Sequence, residues 1–295
     1  MTTYPSVCAY LSALRTWARC NGRPDPAIDP NTDLPHIKYI HFCRGAKRRL
    51  GGKAMTRTPL SLKSLRNMVR NLRLGGIVPG PVAQDMIAAL CLAFWALLRV
   101  SEYTVPGNST WFDLTTHATR GDVRFVPSIT APNYMVFTVK VSKQDQYKVG
   151  HDLIVYPSAD PTLCALTALK AVILADPQPP TAPLFDFATR PANSPSRARS
   201  MSRPLYISLF NKTVHSVGLD TSTTKTHSLR SGGATAMLHA GIPTYVISRL
   251  GRWKSSCWQT YTWASHALVK HAHSVLGTKI PDSTPVDFDA VRRDL

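Results

Sequence analysis

Apolar residues recur every three or four positions along several segments of the chain, a spacing that places them on one face of an α-helix. In the first of these segments Val7, Leu11 and Leu14 share a face. In a later one, Ser61 stands at a helix-capping position before the apolar residues begin. The pattern predicts helices over residues 6–20, 37–50, 82–98 and 164–175, with another that begins at residue 62.

Between residues 121 and 156 the apolar period changes from helical to alternating, which predicts three short strands. Val123 and Phe125 mark the first strand, and the other two follow as a hairpin. Lys143 is therefore expected at the tip or shoulder of that hairpin, where a lysine is usually just solvated. The predicted fold class is mainly α with a small antiparallel β-sheet.

A domain boundary is expected near residue 56. Residues 56–60 resemble a linker, because helical patterning restarts directly after them. The chain is thus divided into a small helical domain of residues 1–55 and a larger domain of residues 56–295. Within the larger domain, residues 176–204 are rich in Pro, Ala and Ser and predict a long mobile loop.

Positive charge is the most informative bulk property: 35 Lys and Arg against 17 Asp and Glu give a net charge of +18 and a pI of about 10.0. Such a charge repels itself unless an anionic partner neutralises it, so we expect a nucleic acid, with a ribosome-like or membrane-surface role as the alternative. The densest basic cluster has three possible interpretations: a solvated end of a helix, a contact to phosphate, or a nuclear import signal. It consists of Arg44, Lys47, Arg48, Arg49 and Lys53.

Membrane and metal-binding classes are disfavoured. The longest apolar run, residues 86–100, falls short of the roughly 20 residues of a membrane-spanning helix. The first residues lack the pattern of a signal peptide, so we expect an intracellular protein without a transmembrane segment. The six cysteines lie far apart, and His271 and His273 stand without further ligands nearby in the sequence. We therefore predict no metal site.

Residues 225–241 place charge at the start of a predicted helix. His227 and Arg230, three residues apart, project on the same side, where the free N–H groups of the first turn already favour an anion. This arrangement predicts a phosphate pocket. Gly232 and Gly233 each weaken a helix by roughly 1 kcal/mol, which indicates close approach of another group to the backbone.

Arg99 closes the apolar helix predicted over residues 82–98. A buried guanidinium is costly unless it has a partner or binds an anion. An ion pair with Glu102, three residues on, is the simpler interpretation. Anion binding is the other.

Taken together, these positions resemble the tyrosine recombinase, or phage integrase, family over about residues 58–280. Each box is weak alone, but all five occur in the family's order. They are Leu98-Arg99-Val100-Ser101-Glu102, Val141-Ser142-Lys143, His227-Ser228-Leu229-Arg230, Leu250-Gly251-Arg252-Trp253 and Tyr261.

The resemblance implies a role for each catalytic residue. Arg99 and Arg230 would hold the non-bridging oxygens of the scissile phosphate. Tyr261 would attack phosphorus to form a 3′-phosphotyrosyl link, His227 would help to accept its proton, and Lys143 would protonate the departing 5′ oxygen. The chemistry requires neither metal nor ATP, so no cofactor is expected.

Three further residues would support this pocket. By its spacing to Tyr261, Arg252 falls on the family's His/Trp position, and Trp253 follows it; either side chain could face the phosphate. Glu102 matches the acidic residue with which the family orients pocket groups, or it forms a plain salt bridge.

The resemblance also implies a fold and partners. The fold would be a DNA breaking-rejoining catalytic domain, preceded by a helical core-binding domain that is partial because family members usually carry further helices before residues 6–20. Double-stranded DNA would be the partner, contacted also by Lys47, Arg48, Arg49 and Lys53. A homotetramer on two DNA sites is implied, in which residues 263–276 pack on a neighbour or form an intramolecular helix.

Subfamily and activity each leave alternatives open. The boxes most resemble recombinases of DIRS-like retrotransposons and Crypton elements, which implies a nuclear protein; a phage or bacterial integrase in the cytoplasm is the alternative. The implied activity is site-specific recombination for a mobile element. A DNA-binding relic that no longer cuts would have lost some of the five boxes, and the Gly-Arg-Trp box and short chain disfavour a type IB topoisomerase.

Overall fold

The computed structural model describes residues 3–51, 58–106, 112–142, 145, 147–185, 201–253 and 259. The chain divides into two compact units, Met1–Thr56 and Arg57–Leu295. The identity of the first unit as a partial core-binding domain stays a prediction.

The first unit contains two helices, α1 (Tyr4–Cys20) and α2 (Ile37–Leu50). Arg15 of α1 donates from Nε and one terminal nitrogen to the carboxylate of Asp25, over 3.0 to 3.1 Å, and so fixes the turn that follows the helix. Ala18 and Ala27 are the buried hydrophobic residues among those described in this unit. The two helices therefore enclose very little apolar core.

The predicted DNA-contacting cluster lies at the end of α2. Lys47, Arg48 and Arg49 occupy its exposed last turn, where positive charge is favourable beside the unsatisfied carbonyl groups of a helix terminus. Lys53 lies outside the described residues. Exposure leaves these side chains accessible to DNA, and their contact with DNA stays a prediction.

In the second unit a central helix is surrounded by other helices. The helices are α3 (Leu62–Leu74), α4 (Gly80–Trp95), α5 (Ala165–Ala175), α6 (Arg203–His215), α7 (His227–His239) and α8 (Thr244–Leu250). Helix α4 is apolar on nearly every side and packs against α3, α5 and α7. Its C-terminal end therefore lies inside the unit, close to the N-terminal half of α7.

A three-stranded antiparallel sheet packs at the side of the helices, in the order β1 (Val123–Val126), β2 (Tyr134–Val139) and β3 (His151–Val155). Met135, Phe137 and Val139 alternate toward the core, as the period of two predicts. In the connection from β2 to β3, the Asp145 carboxylate accepts the N–H groups of Val149 and Gly150 at 3.1 and 2.8 Å. The predicted fold class, mainly α with a small antiparallel sheet, is confirmed.

Two predicted boundaries are wrong. The mobile loop predicted through residue 204 ends earlier, because Arg203 and Pro204 form the first turn of α6, where proline's missing N–H and fixed φ are tolerated. Helix α4 ends at Trp95 and not at residue 98. Residues 186–200 of the predicted loop lie outside the described residues.

Two features are absent from the residues that the structure describes. None of their helices has both the length and the apolar character needed to cross a lipid bilayer. Within the same residues, no three His, Cys, Asp or Glu side chains lie close enough together to hold a metal ion.

Cys91 is expected to resist alkylation in the folded protein. It is buried in α4, and burial raises the pKa of its thiol to about 12, so almost no reactive thiolate exists at neutral pH. Treatment with iodoacetamide, followed by mass spectrometry of the peptides, should show Cys8 and Cys20 modified, since both are exposed. Cys91 should react only after addition of urea. Modification of native Cys91 at the rate of Cys20 would contradict its burial.

Candidate active site

The site begins where α4 stops. Leu97 takes a positive φ of 49°, and the N–H of Leu98 bonds back to the carbonyl of Ala93 at 3.0 Å, the pattern of a left-handed helix C-cap. Leucine is strained there, but its side chain is completely buried, which offsets the strain. The turn ends the helix three residues before the predicted boundary and turns the carbonyl of Leu97 toward arginine donors.

Arg99 leaves this turn paired with Glu102. Its Nη1 lies 3.1 Å from Glu102 Oε1, and its backbone N–H donates to Oε2 at 2.9 Å, capping the short 3₁₀ turn Val100–Glu102. The Arg99 side chain keeps 15% of its surface exposed, whereas the Glu102 side chain is fully buried. The ion pair expected as the simpler interpretation is present. Its presence does not exclude anion binding by the exposed part of Arg99.

Arg252 reaches the same carboxylate from the other side. It follows α8 with a positive φ of 55°, and its Nη2 lies 2.7 Å from Glu102 Oε2. Its terminal nitrogens also approach carbonyls of the α4 turn, those of Ala96 and Leu97, at 3.4 Å. Burial lowers the pKa of Arg252 below its usual value, and the neighbouring Glu102 carboxylate opposes that shift. Arg252 thus lies inside the cluster, with 8% of its side chain exposed.

Helix α7 carries His227 and Arg230 into this region. His227 is its first residue and is half-buried. A Cβ on Gly232 would lie 2.1 Å from the carbonyl oxygen of Leu60, and one on Gly233 would lie 2.2 Å from that of Phe94. The predicted close approach to these glycines is therefore confirmed, and the approaching groups are the protein's own backbone.

Arg230 is completely buried. Its Nη1 donates to the carbonyl of Leu97 and its Nη2 to the carbonyl of Gly251, so the guanidinium joins the end of α4 to the end of α8. The guanidinium carbon lies 4.5 Å from the ring centroid of Trp253, a cation–π distance. Trp253 belongs to a small apolar cluster with Leu97, Ala234 and Ile247, which fixes the ring.

The sequence left open whether Arg252 or Trp253 faces the phosphate. In the structure neither side chain projects into solvent. Trp253 supports Arg230 from one face, and Arg252 neutralises Glu102. Arg252 therefore links the other members of the cluster, because it shares the carbonyl of Leu97 with Arg230 and the carboxylate of Glu102 with Arg99.

Two predicted catalytic residues, Lys143 and Tyr261, lie outside the described residues. Lys140, three residues before Lys143, is not an alternative proton donor. Its Nζ is held by Asp122 at 2.8 Å and by the carbonyl of His117 at 3.0 Å, so its protons are engaged in the fold. Lys143 stays the predicted donor.

Sequence reasoning missed two participants, the carbonyls of Leu97 and Gly251. No side-chain pattern reports a main-chain acceptor. The structure shows only why residue 251 is a glycine, since a Cβ there would overlap the ring of Trp253.

Comparison with solved structures identifies the architecture. The XerH site-specific recombinase, in a post-cleavage complex with its palindromic difH substrate, matches 93% of this chain with a TM-score of 0.58 and 12% identity. The chain has the tyrosine recombinase fold. A pre-cleavage complex of XerH gives a TM-score of 0.52 at 11% identity over 92% of the chain. The XerA recombinase gives 0.50 at 15% identity over 95% of this chain and 84% of its own.

The match to these structures shows the fold alone, because the sequence identities are only 11 to 15%. This chain spans just under two thirds of XerH, covering 64% and 63% of its length in the two complexes. The chain matches no protein-family model, and no curated protein matches its sequence.

Replacing Arg230 with lysine is expected to lower the free energy of unfolding of the second unit by about 2 kcal/mol. A compact ammonium cannot donate to the carbonyls of both Leu97 and Gly251, nor lie flat on the Trp253 ring. Urea unfolding followed by circular dichroism measures the change. Arg249→Lys, on the exposed face of α8, is the matched control and should stay within about 0.5 kcal/mol. Equal stability of the two variants would show that the Arg230 contacts contribute little.

Proposed function

We propose that this chain is a site-specific DNA recombinase that cuts and rejoins DNA through a 3′-phosphotyrosyl intermediate. The observation that carries the proposal is the meeting of Arg99, Arg230 and Arg252 at the end of α4 in the tyrosine recombinase fold. His227 precedes Arg230 by three residues on α7. The net charge of +18 supports a polyanionic substrate. The solved XerH complexes contain the DNA substrate of that protein, which supports double-stranded DNA as the partner here.

In the proposed reaction, the Tyr261 oxygen attacks the phosphorus of a DNA phosphodiester and the bond from phosphorus to the 5′ oxygen breaks. The tyrosine proton passes to His227, and Lys143 gives a proton to the leaving 5′ oxygen. Arg99 and Arg230 stabilise the charge that grows on the non-bridging oxygens. A free 5′ hydroxyl of another strand then attacks the phosphotyrosine, restores a phosphodiester and releases Tyr261.

One observation favours a second candidate, a DNA-binding protein that no longer cuts. Arg230 is completely buried, with its terminal nitrogens bonded to main-chain carbonyls. In an active recombinase a phosphate oxygen must reach this guanidinium, so the groups that cover it, such as these carbonyls or the Trp253 ring, would have to move when DNA binds. A relic would keep them in place.

The finer features of the proposal rest on the sequence. The residue sequence of the boxes around Lys143, His227 and Gly251 supports an origin in a DIRS-like or Crypton-like mobile element. Such an origin would place the protein in the nucleus. A homotetramer on two DNA sites follows from the same resemblance.

The proposal is tested with a suicide DNA duplex, nicked beside the cleavage position and built from terminal repeats of the host element. Denaturing gel analysis should show protein covalently joined to DNA, and mass spectrometry should place the nucleotide on one of the ten tyrosines. A link at Tyr261 supports the recombinase. Salt-sensitive DNA binding without any covalent product on the cognate repeats supports the relic.

A further inference from the structure

Arg252 stands where the recombinase resemblance places a histidine or tryptophan, yet its side chain turns inward to a buried carboxylate. Its Nη2 lies 2.7 Å from Glu102 Oε2, the shortest of the contacts that Glu102 makes to nitrogen among the described residues. The side chain is 8% exposed. A direct contact to a DNA phosphate is therefore not the role that this geometry favours.

Glu102 divides its two oxygens between two arginines. Oε1 accepts from Arg99 at 3.1 Å, whereas Oε2 accepts from Arg252 and from the backbone N–H of Arg99. A carboxylate with no exposed surface retains its charge only when nearby donors compensate it. With Arg99 as its sole cationic partner, the pair would carry no net charge.

The second arginine changes this balance. Arg99, Arg252 and Glu102 together carry two guanidinium groups and one carboxylate, which leaves one net positive charge, and Arg99 has more exposed surface than Arg252, 15% against 8%. An incoming phosphate therefore meets a cation and not a neutral ion pair. In a site of low dielectric constant this difference is larger than it would be in water.

We propose that Arg252 is a positioning residue, the counter-ion of Glu102 that keeps the charge of Arg99 available to a DNA phosphate. The inference rests on the proposed contact between Arg99 and DNA. It assigns Arg252 no contact with the substrate, so the effect of Arg252 on DNA must pass through Arg99.

The test measures DNA affinity and not cleavage. The affinity of the full chain for a short fluorescein-labelled duplex is followed by anisotropy over a series of potassium chloride concentrations. Each phosphate that a side chain neutralises contributes about 0.9 to the slope of log affinity against log salt. Arg99→Gln and Arg252→Gln should each lower the slope by about this amount and weaken binding roughly tenfold at low salt.

A second substitution, at Glu102, distinguishes the loss of the Arg252 charge from a structural disturbance caused by its replacement. Glu102→Gln combined with Arg252→Gln restores one net positive charge, so the slope should return toward that of the wild type. Arg249→Gln removes an exposed cation from α8 that is not an ion-pair partner of Glu102, so Glu102→Gln should not restore its slope. If Arg252→Gln alone does not fold, Glu102→Gln is compared with the double Glu102→Gln/Arg252→Gln variant, and equal slopes support the inference.

The outcomes distinguish this inference from the proposed function. A slope that Glu102→Gln fails to restore in the Arg252→Gln protein would overturn the positioning role alone. An unchanged slope in Arg99→Gln would overturn both the positioning role and the phosphate contact on which it rests. Rescue by Glu102→Gln supports the role, whether or not a covalent product forms.

Discussion

The Tyr261→Phe variant is expected to bind DNA with the affinity of the wild type and to form no covalent product with it. Phenylalanine keeps the aromatic ring but lacks the oxygen that would bond to phosphorus. The substitution therefore removes the nucleophile and leaves the rest of the DNA contacts in place. Tyr261 lies outside the described residues, and the expectation comes from its spacing to Gly251 and from the proposed reaction. Gel analysis on the nicked duplex, with anisotropy for affinity, measures both properties.

A matched control excludes a substitute nucleophile. Tyr245 of α8 is 70% exposed, so Tyr245→Phe removes an accessible phenol from the helix that precedes the candidate nucleophile. This variant should form the covalent product in full. A product that persists in Tyr261→Phe but disappears in Tyr245→Phe would contradict the assignment of the nucleophile.

Gly233→Ala is expected to destabilise the second unit by at least about 3 kcal/mol, enough to unfold a marginally stable domain. The added Cβ would lie 2.2 Å from the carbonyl oxygen of Phe94 and 2.6 Å from a methyl group of Leu97. Because Phe94 is held within α4, helix α7 would have to move away from it. The intrinsic helix preference of alanine over glycine, about 1 kcal/mol, opposes this loss only in part.

Gly80→Ala provides the control for Gly233→Ala. Gly80 is the first residue of α4, and a Cβ there meets no heavy atom within 4 Å. Urea unfolding should find this variant as stable as the wild type or slightly more stable. A Gly233→Ala protein with the same midpoint as Gly80→Ala would show that α7 and α4 are not in close backbone contact.

The sequence predicts those features of the fold and the site that depend on the pattern of side chains. It does not predict those that depend on the conformation of the main chain. The period of apolar positions located α2 at residues 37–50 and the three strands, because burial requires that period. A common site for Arg99, Glu102 and Arg230 was implied by the resemblance to tyrosine recombinases, which depends on the types and order of side chains. The helix boundary after Trp95 was not predicted, because a leucine in a left-handed conformation leaves no local sign.

The interior roles of Arg252 and Trp253 were equally beyond the sequence. Both were expected near the phosphate, but the direction of each side chain depends on the backbone turn after α8. Only the positive φ of Arg252 sends its side chain toward Glu102 and leaves the Trp253 ring beneath Arg230. Tertiary contacts decide such orientations after the local pattern has been satisfied.

The burial of Arg230 turns any anion binding at this residue into an exchange. No part of Arg230 is exposed, so a ligand reaches its guanidinium only by displacing neighbouring groups, such as the carbonyls of Leu97 and Gly251, and the net gain is a difference between two similar interactions. Small free anions, which offer nothing else, would compete poorly. A phosphate held in place by the rest of a DNA duplex faces no such limit, because its other contacts have already brought it to the site. The carbonyls thus act as internal competitors that select for ligands anchored elsewhere.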